Sequence, residues 1–217
     1  MSGKPNIDRR TARRQATQAE IVAAAWALAR DDGLTGLSMR DLGARVGMRA
    51  QSVYSYFASK HDIYDAMFLE GYEVFTDWMD DAVDADRLST EPRRAATTAG
   101  HAFVEFCTAD AARFQLLFQR TIPGFEPSAE SYAVATRSYR RVAEQLSMIG
   151  ISDQATLDLW TATLTGLASQ QIANDPGGDR WKQLIDRAVD MLLADAARSP
   201  DRSPTDQTQR PTRNEQT

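Results

Sequence analysis

The sequence predicts an all-α protein of about nine helices, a three-helix N-terminal head followed by a larger helical body. Apolar residues return at spacings of three and four through most of the chain, and glycine, proline and short polar stretches cut that pattern into segments. Charge separates head from body. Residues 1 to 60 hold ten basic and five acidic side chains, a local +5, whereas the whole chain carries −5 and the remainder therefore −10.

The chain opens on a basic stretch, Lys4 to Arg14, with Pro5 near its start. It reads either as a frayed terminus or as an arm whose Arg9, Arg10, Arg13 or Arg14 meets phosphates or a minor groove. From about Arg13 to Asp32, Ile21, Ala24, Ala25 and Leu28 form one stripe, and Gly33 supplies the stop. Trp26 falls off the stripe's centre and is expected as a flank filling a gap.

Ser38 to Lys60 is the most informative stretch. Ser38 and Asp41 place a hydroxyl at an N-cap and a carboxylate in the first turn, and Met39, Leu42 and Val46 give a short apolar stripe. Gly47 ends that helix. A second is predicted from Arg49 to Phe57, with Val53 and Phe57 inward and Arg49, Ala50, Gln51, Ser52, Tyr54, Ser55 and Tyr56 around the rest. A helix anchored on one side and showing donors on the other suits the DNA major groove, where Arg and Gln read base edges and Ser, Tyr and Lys hold phosphates. Ordinary packing of two short helices around a glycine is the alternative.

This segment resembles the DNA-binding motif of TetR-family transcriptional regulators, a helix-turn-helix ending in an aromatic-rich signature followed by lysine. The matching residues are Leu42, Val46, Gly47, Val53, Tyr54, Tyr56, Phe57, Ser59 and Lys60, with Ile21, Ala25, Leu28 and Gly33 upstream. Two positions depart from the family. Gly43 stands where alanine is commoner, at a helix-propensity cost of about 1 kcal/mol, and Arg49 stands where a small hydroxyl residue often caps the recognition helix.

The resemblance implies a helix-turn-helix DNA-binding domain over residues 1–60, an effector-binding and dimerisation domain over 61–197, and a ligand-released, homodimeric repressor on a near-palindromic operator. Repressor against activator stays open. Gln51 and Arg49 are the candidates for base contacts, Ser52 and Ser55 minor ones, and Arg40, Tyr54, Tyr56 and Lys60 the candidates for phosphate. Ser38 and Ala50 complete the DNA-facing set. A helical enzyme or small-molecule carrier with an incidental basic head is the rival from another class.

In the body, Lys60 to about Met79 reads as a fourth helix with a broad apolar face of Ile63, Met67, Phe68, Gly71, Tyr72, Phe75 and Met79. In the family scheme this helix joins head to body and its tilt carries the ligand signal. Asp80, Asp81, Asp84 and Asp86 form an acidic stretch, with Ser89 or Thr90 as caps and Pro92 in the first turn of helix five, which runs to Thr108. Asp110 or a neighbour starts a sixth helix with Phe114, Leu117 and Phe118, and TIPGFEPS breaks the chain before helix seven, Ser128 to Met148.

Ser152 opens helix eight, with Leu157, Trp160, Leu164 and Leu167; the NDPGGD turn leads to the last, with Trp181, Leu184, Ile185, Ala188, Met191 and Leu192. These residues form an antiparallel hairpin. In the family such a hairpin pairs with its twin; core packing within one subunit is the other reading. The tail 198–217 is polar and assigned to disorder.

An effector pocket is expected between helices five and eight, walled by Phe103, Phe106, Phe118, Tyr132, Tyr139 and Trp160 with His101, Thr163 and Gln170 as polar handles; the competing reading of each, and the commoner one for such residues, is plain core. No cofactor is implied. His101 and Glu105, four apart, offer two ligands where a metal site needs three, and there is no P-loop, G-x-G-x-x-G or G-x-S-x-G. The single cysteine, Cys107, leaves no internal disulfide, and the polar start and lack of a run of about 18 apolar residues predict a cytoplasmic, non-membrane protein.

Overall fold

The computed structural model describes residues 4–83 and 90–198, with side chains from Arg9 onward. The expected acidic positions Asp84 and Asp86, the cap Ser89 and the tail from 199 lie outside the described residues. Nine α-helices follow in order among them: α1 (Lys4–Asp32), α2 (Met39–Arg45), α3 (Ala50–Val53), α4 (Lys60–Ala82), α5 (Pro92–Ala109), α6 (Ala111–Phe118), α7 (Ala129–Ser147), α8 (Gln154–Asn174) and α9 (Ile185–Arg198).

The first helix is longer than its stripe predicts. The basic stretch is helical from Lys4, so Arg9 to Arg14 ride on α1 instead of a separate arm. Pro5 sits in the first turn, where its missing N–H has no intrahelical partner to lose. Trp26 is buried rather than a flank; its indole N–H donates to Glu70 Oε2 of α4 at 3.3 Å, and the Arg113 guanidinium lies 5.6 Å from its ring centroid.

Capping residues set most other boundaries. Ser59 and Asp62 make a reciprocal capping box that starts α4, Asp110 accepts the Arg113 N–H to start α6, and Ser128 accepts that of Ser131 to start α7. Asp153, not Ser152, caps α8 by accepting the Thr156 N–H at 3.0 Å. Glu91 holds the cap position of α5 without a side-chain capping bond, its carboxylate instead accepting from Arg94 at 3.1 Å. The last helix begins at Ile185, so Trp181 and Leu184 precede it, Leu184 within a 3-10 turn, Lys182–Leu184. The Gln171 side-chain carbonyl takes the Trp181 N–H at 2.8 Å and fixes the approach to that turn.

α1 packs across α2 and rests on α4 and α6; α4 continues into the body, where it meets α5, α6 and α7, and α5 lies against both α8 and α9. Gly100 permits that last approach, because a Cβ there would stand 3.1 Å from Ile185 Cγ2. Buried side chains from head and body join in one apolar cluster. None of the described helices is long and apolar enough to cross a membrane.

Candidate nucleic-acid interface and effector cavity

The head holds α3 by its inner side. Val53 and Leu42 are fully buried, Phe57 nearly so, and backbone bonds from Tyr56 and Phe57 to the Val53 carbonyl carry the turn on past the end of α3. The predicted helix to Phe57 is thus a short helix followed by turns. Between α2 and α3, Gly47 has φ +68°, and the Met48 N–H returns to the Gly43 carbonyl at 2.7 Å.

That return explains Gly43. A Cβ there would stand 2.7 Å from the Met48 carbonyl oxygen and 3.1 Å from the Ala50 nitrogen. The glycine is a close-packing requirement rather than a small loss of propensity.

Arg40, Arg49, Gln51, Ser52, Tyr54 and Ser55 are exposed on the outer surface, while Ser38, Ala50, Tyr56 and Lys60 are half-buried. Ser38 serves as the α2 cap: its hydroxyl donates to the Asp41 carboxylate and accepts the Asp41 N–H. That bond, with Arg40 beside it, holds the Asp41 carboxyl below the usual carboxylate range. Arg49 occupies the N-cap of α3 with no side-chain capping bond.

The start of α1 clamps the same surface. Arg14 donates to the Ser55 carbonyl at 2.9 Å with its guanidinium 5.0 Å from the Tyr56 ring centroid, and Gln18 reaches the Tyr56 carbonyl at 3.4 Å. Arg9, Arg10 and Arg13 stay exposed beside it. Lys60 donates to the Thr35 carbonyl at 3.0 Å, and burial lowers its pKa.

In the body, a cavity of roughly 110 Å³ lies between α4, α5, α7 and α8. Four of the expected wall residues line it: Phe103, Phe118, Tyr139 and Trp160. The others do not. Phe106 is buried against Phe75 and Trp78, and Tyr132, 62% exposed, borders a separate cavity. His101 is exposed and bonded to Asp186 Oδ1 of α9 at 2.6 Å, Thr163 faces an outer groove, and Gln170 bonds Asn174 at the surface.

The pocket expectation left out Tyr72, Phe75 and Met79 of α4, with Gln145 of α7 and Thr161 of α8. The breadth of α4's apolar face was the available signal: one part of it packs the head and another lines the cavity.

The hairpin α8–α9 has two apolar faces. Leu157, Leu164, Ile185 and Leu192 are buried against the rest of the subunit, so the reading that puts them at a surface is corrected for all but Leu192, which also borders the outer groove. That groove is open, with Leu159, Thr163, Leu167, Leu184, Ala188 and Met191 along it and Arg187, Asp190, Asp195 and Arg198 at its edges. Trp181 is half-buried outside it.

Residues 21–67 match the family described as bacterial regulatory proteins, tetR family. The chain thus carries a TetR-type helix-turn-helix head over those residues. It is 29% identical over 130 residues to the HTH-type transcriptional regulator Rv1816 of Mycobacterium tuberculosis, a match covering 59% of this chain and 55% of that protein, about half the relative's length. In fold it is similar to the regulatory protein SCO4313, with a TM-score of 0.68 at 18% identity over 85% of this chain and 98% of that one. It is similar too to the regulator FadR of Bacillus subtilis, solved in complex with stearoyl-CoA, at TM-score 0.60 and 14% identity over 81% and 97%.

Proposed function

We propose that this protein is a homodimeric, DNA-binding repressor of the TetR family that meets a near-palindromic operator through α3 and is released when a small molecule enters the body cavity. The observation that carries this reading is α3 itself. Val53 and Phe57 pin it to the head, while Gln51, Ser52, Tyr54 and Ser55 remain exposed beside the arginines of α1, in the basic part of an otherwise acidic chain.

In this reading Gln51 and Arg49 read bases, Ser52 and Ser55 add to them, and Arg40, Tyr54, Tyr56 and Lys60 hold phosphates. Arg9, Arg10 and Arg13 extend the phosphate contacts along α1. The open groove of α8 and α9 takes its own copy. A two-fold dimer then sets two α3 helices one or more turns apart, roughly 34–36 Å for one turn. To move the operator-competent state from dominant to rare, the effector needs about 5.5 kcal/mol of preference for the other state.

The test is selection of bound genomic fragments by the full-length protein, followed by anisotropy titration of the selected fragment at two salt concentrations. Sequence-selective, salt-sensitive binding supports the regulator. Small-molecule binding without any DNA affinity would favour the rival reading of a carrier.

A further inference from the structure

The cavity has walls that restrict its guest more narrowly than "small molecule". No lining residue is Asp, Glu, Lys, Arg or His. Side-chain polar atoms come from Tyr72, Tyr139, Gln145, Trp160 and Thr161, and three of these are already engaged. The Tyr72 hydroxyl donates to the Leu117 carbonyl at 3.2 Å, that of Thr161 to the Leu157 carbonyl at 3.0 Å, and Tyr139 Oη accepts from Gln154 at 2.9 Å. Burial raises the Tyr72 phenol above its ordinary range, so it brings no charge either.

The ring cluster around Phe75 is unsuited to a bare cation. Phe75 meets Tyr72, Phe103 and Phe118 edge-to-face, at interplanar angles of 90°, 86° and 75°. Rings so arranged spend their faces on one another's edges, whereas a cation needs an open face. An anion fares no better. Arg120 lines a second cavity of roughly 180 Å³, which shares Tyr72, Phe118 and Ala135 with the first but is distinct from it. An unpaired ion in the first cavity would lose its water with nothing to replace it.

Size narrows the choice further. An apolar cavity of about 150 Å³ accepts benzene, and at roughly 110 Å³ this one is smaller, so a single ring is the upper limit for a guest that leaves the walls in place.

We infer that the cavity takes an uncharged, single-ring, largely apolar compound carrying at most one hydroxyl-like group. Gln145, whose amide both donates and accepts, is the residue placed to recognise that group, with the Tyr139 phenol proton as a second donor. The inference rests on the proposed reading of this cavity as the effector site, although it concerns binding alone.

The experiment titrates the full-length protein, without DNA, by calorimetry at pH 7 with phenol and cyclohexanol, and with benzoate and benzylammonium as charged one-ring probes. The neutral probes should bind at least tenfold tighter than either ion. Ala99→Leu, which fills the cavity, should weaken the neutral probes at least tenfold while thermal unfolding stays cooperative; Ala135→Leu repeats the test if the first variant does not fold. An ion that binds as tightly as phenol, neutral probes that do not bind, or binding unchanged by a folded filled variant would each overturn the inference. Neutral binding that leaves the operator complex intact would support this ligand class and overturn the effector reading instead. Operator binding with no neutral-probe binding would overturn the ligand class and leave the DNA-binding reading standing.

Discussion

Arg30 of α1 and Asp110 at the head of α6 are joined by a 2.8 Å contact that ties the helix-turn-helix head to the body. Asp110 is buried, and its carboxylate also caps α6 through the Arg113 N–H at 3.0 Å. The two duties separate by mutation. Asp110→Asn keeps a capping oxygen, whereas Asp110→Ala loses both cap and ion partner. A lost cap costs about 1 kcal/mol and a hydrogen bond to a charged group about 1.5–3 kcal/mol, the latter discounted because Arg30 is half exposed. Urea unfolding should show Asp110→Ala less stable by about 2–3 kcal/mol and Asp110→Asn by roughly half that.

Gly43→Ala should destabilise the head despite alanine's better helix propensity. The propensity gain is about 1 kcal/mol, but the added Cβ meets backbone atoms of Met48 and Ala50, which cannot rotate away. Overpacking costs typically 1–3 kcal/mol. A thermal melt in which Gly43→Ala unfolds above the parent would contradict this placement of α2 against α3.

Caps and single-faced helices were legible in the chain. Ser38, Asp110 and Ser128 announced three helix starts, and Val53 with Phe57 announced the buried side of α3, because each signal lies within one turn. The start of α1 was not, since a run of arginines has no apolar stripe to count. Helices apolar on two sides were also opaque. On α8, Leu157 and Leu164 point inward while Leu159 and Leu167 line the open groove, and spacing alone cannot assign either face. His101 looked like a pocket handle until α9 placed Asp186 beside it on the outside.

Acid should weaken the fold through four carboxylates. Asp41 is lowered by the Ser38 hydroxyl, Asp153 by Thr156, Asp175 by the Arg180 N–H and Asp190 by Arg93, which grips it through contacts of 2.6 and 2.9 Å. A folded pKa below the unfolded one contributes stability that is complete above the ordinary carboxylate value of about 4 and is lost as pH falls through the lowered folded values. Unfolding midpoints measured between pH 6 and pH 2.5 should drop below about pH 4. In Asp153→Asn, which keeps a capping oxygen without a titrating group, that drop should be smaller.

Lys60 and Gln51 should separate charge from sequence reading. If Lys60 holds a phosphate, Lys60→Ala weakens binding to all operators alike and lowers the salt slope by about 0.9. Its bond to the Thr35 carbonyl adds a second effect, a modest loss of head stability, so both variants are first compared by thermal melting. Gln51→Ala should leave the slope alone and relax the preference at one base pair, by about 1–3 kcal/mol if the contact is bidentate. An unchanged slope in Lys60→Ala would remove that residue from the phosphate set.

The open groove offers the sharpest test of assembly. Met191 is 63% exposed and Leu159 50%, so a charge at either costs the isolated subunit little. In a dimer built on this groove the same charge would be buried against apolar side chains of a second copy, a loss of several kcal/mol. Arg187, Asp190, Asp195 and Arg198 border the groove with both signs, which a two-fold axis needs if one surface is to complement itself. Met191→Glu and Leu159→Glu should therefore behave as folded monomers in light scattering. They should also bind a full operator no more tightly than a half-site, since each α3 would then act alone. A variant that stays dimeric would move the interface off this face, and one that is monomeric yet retains full operator affinity would detach DNA recognition from assembly.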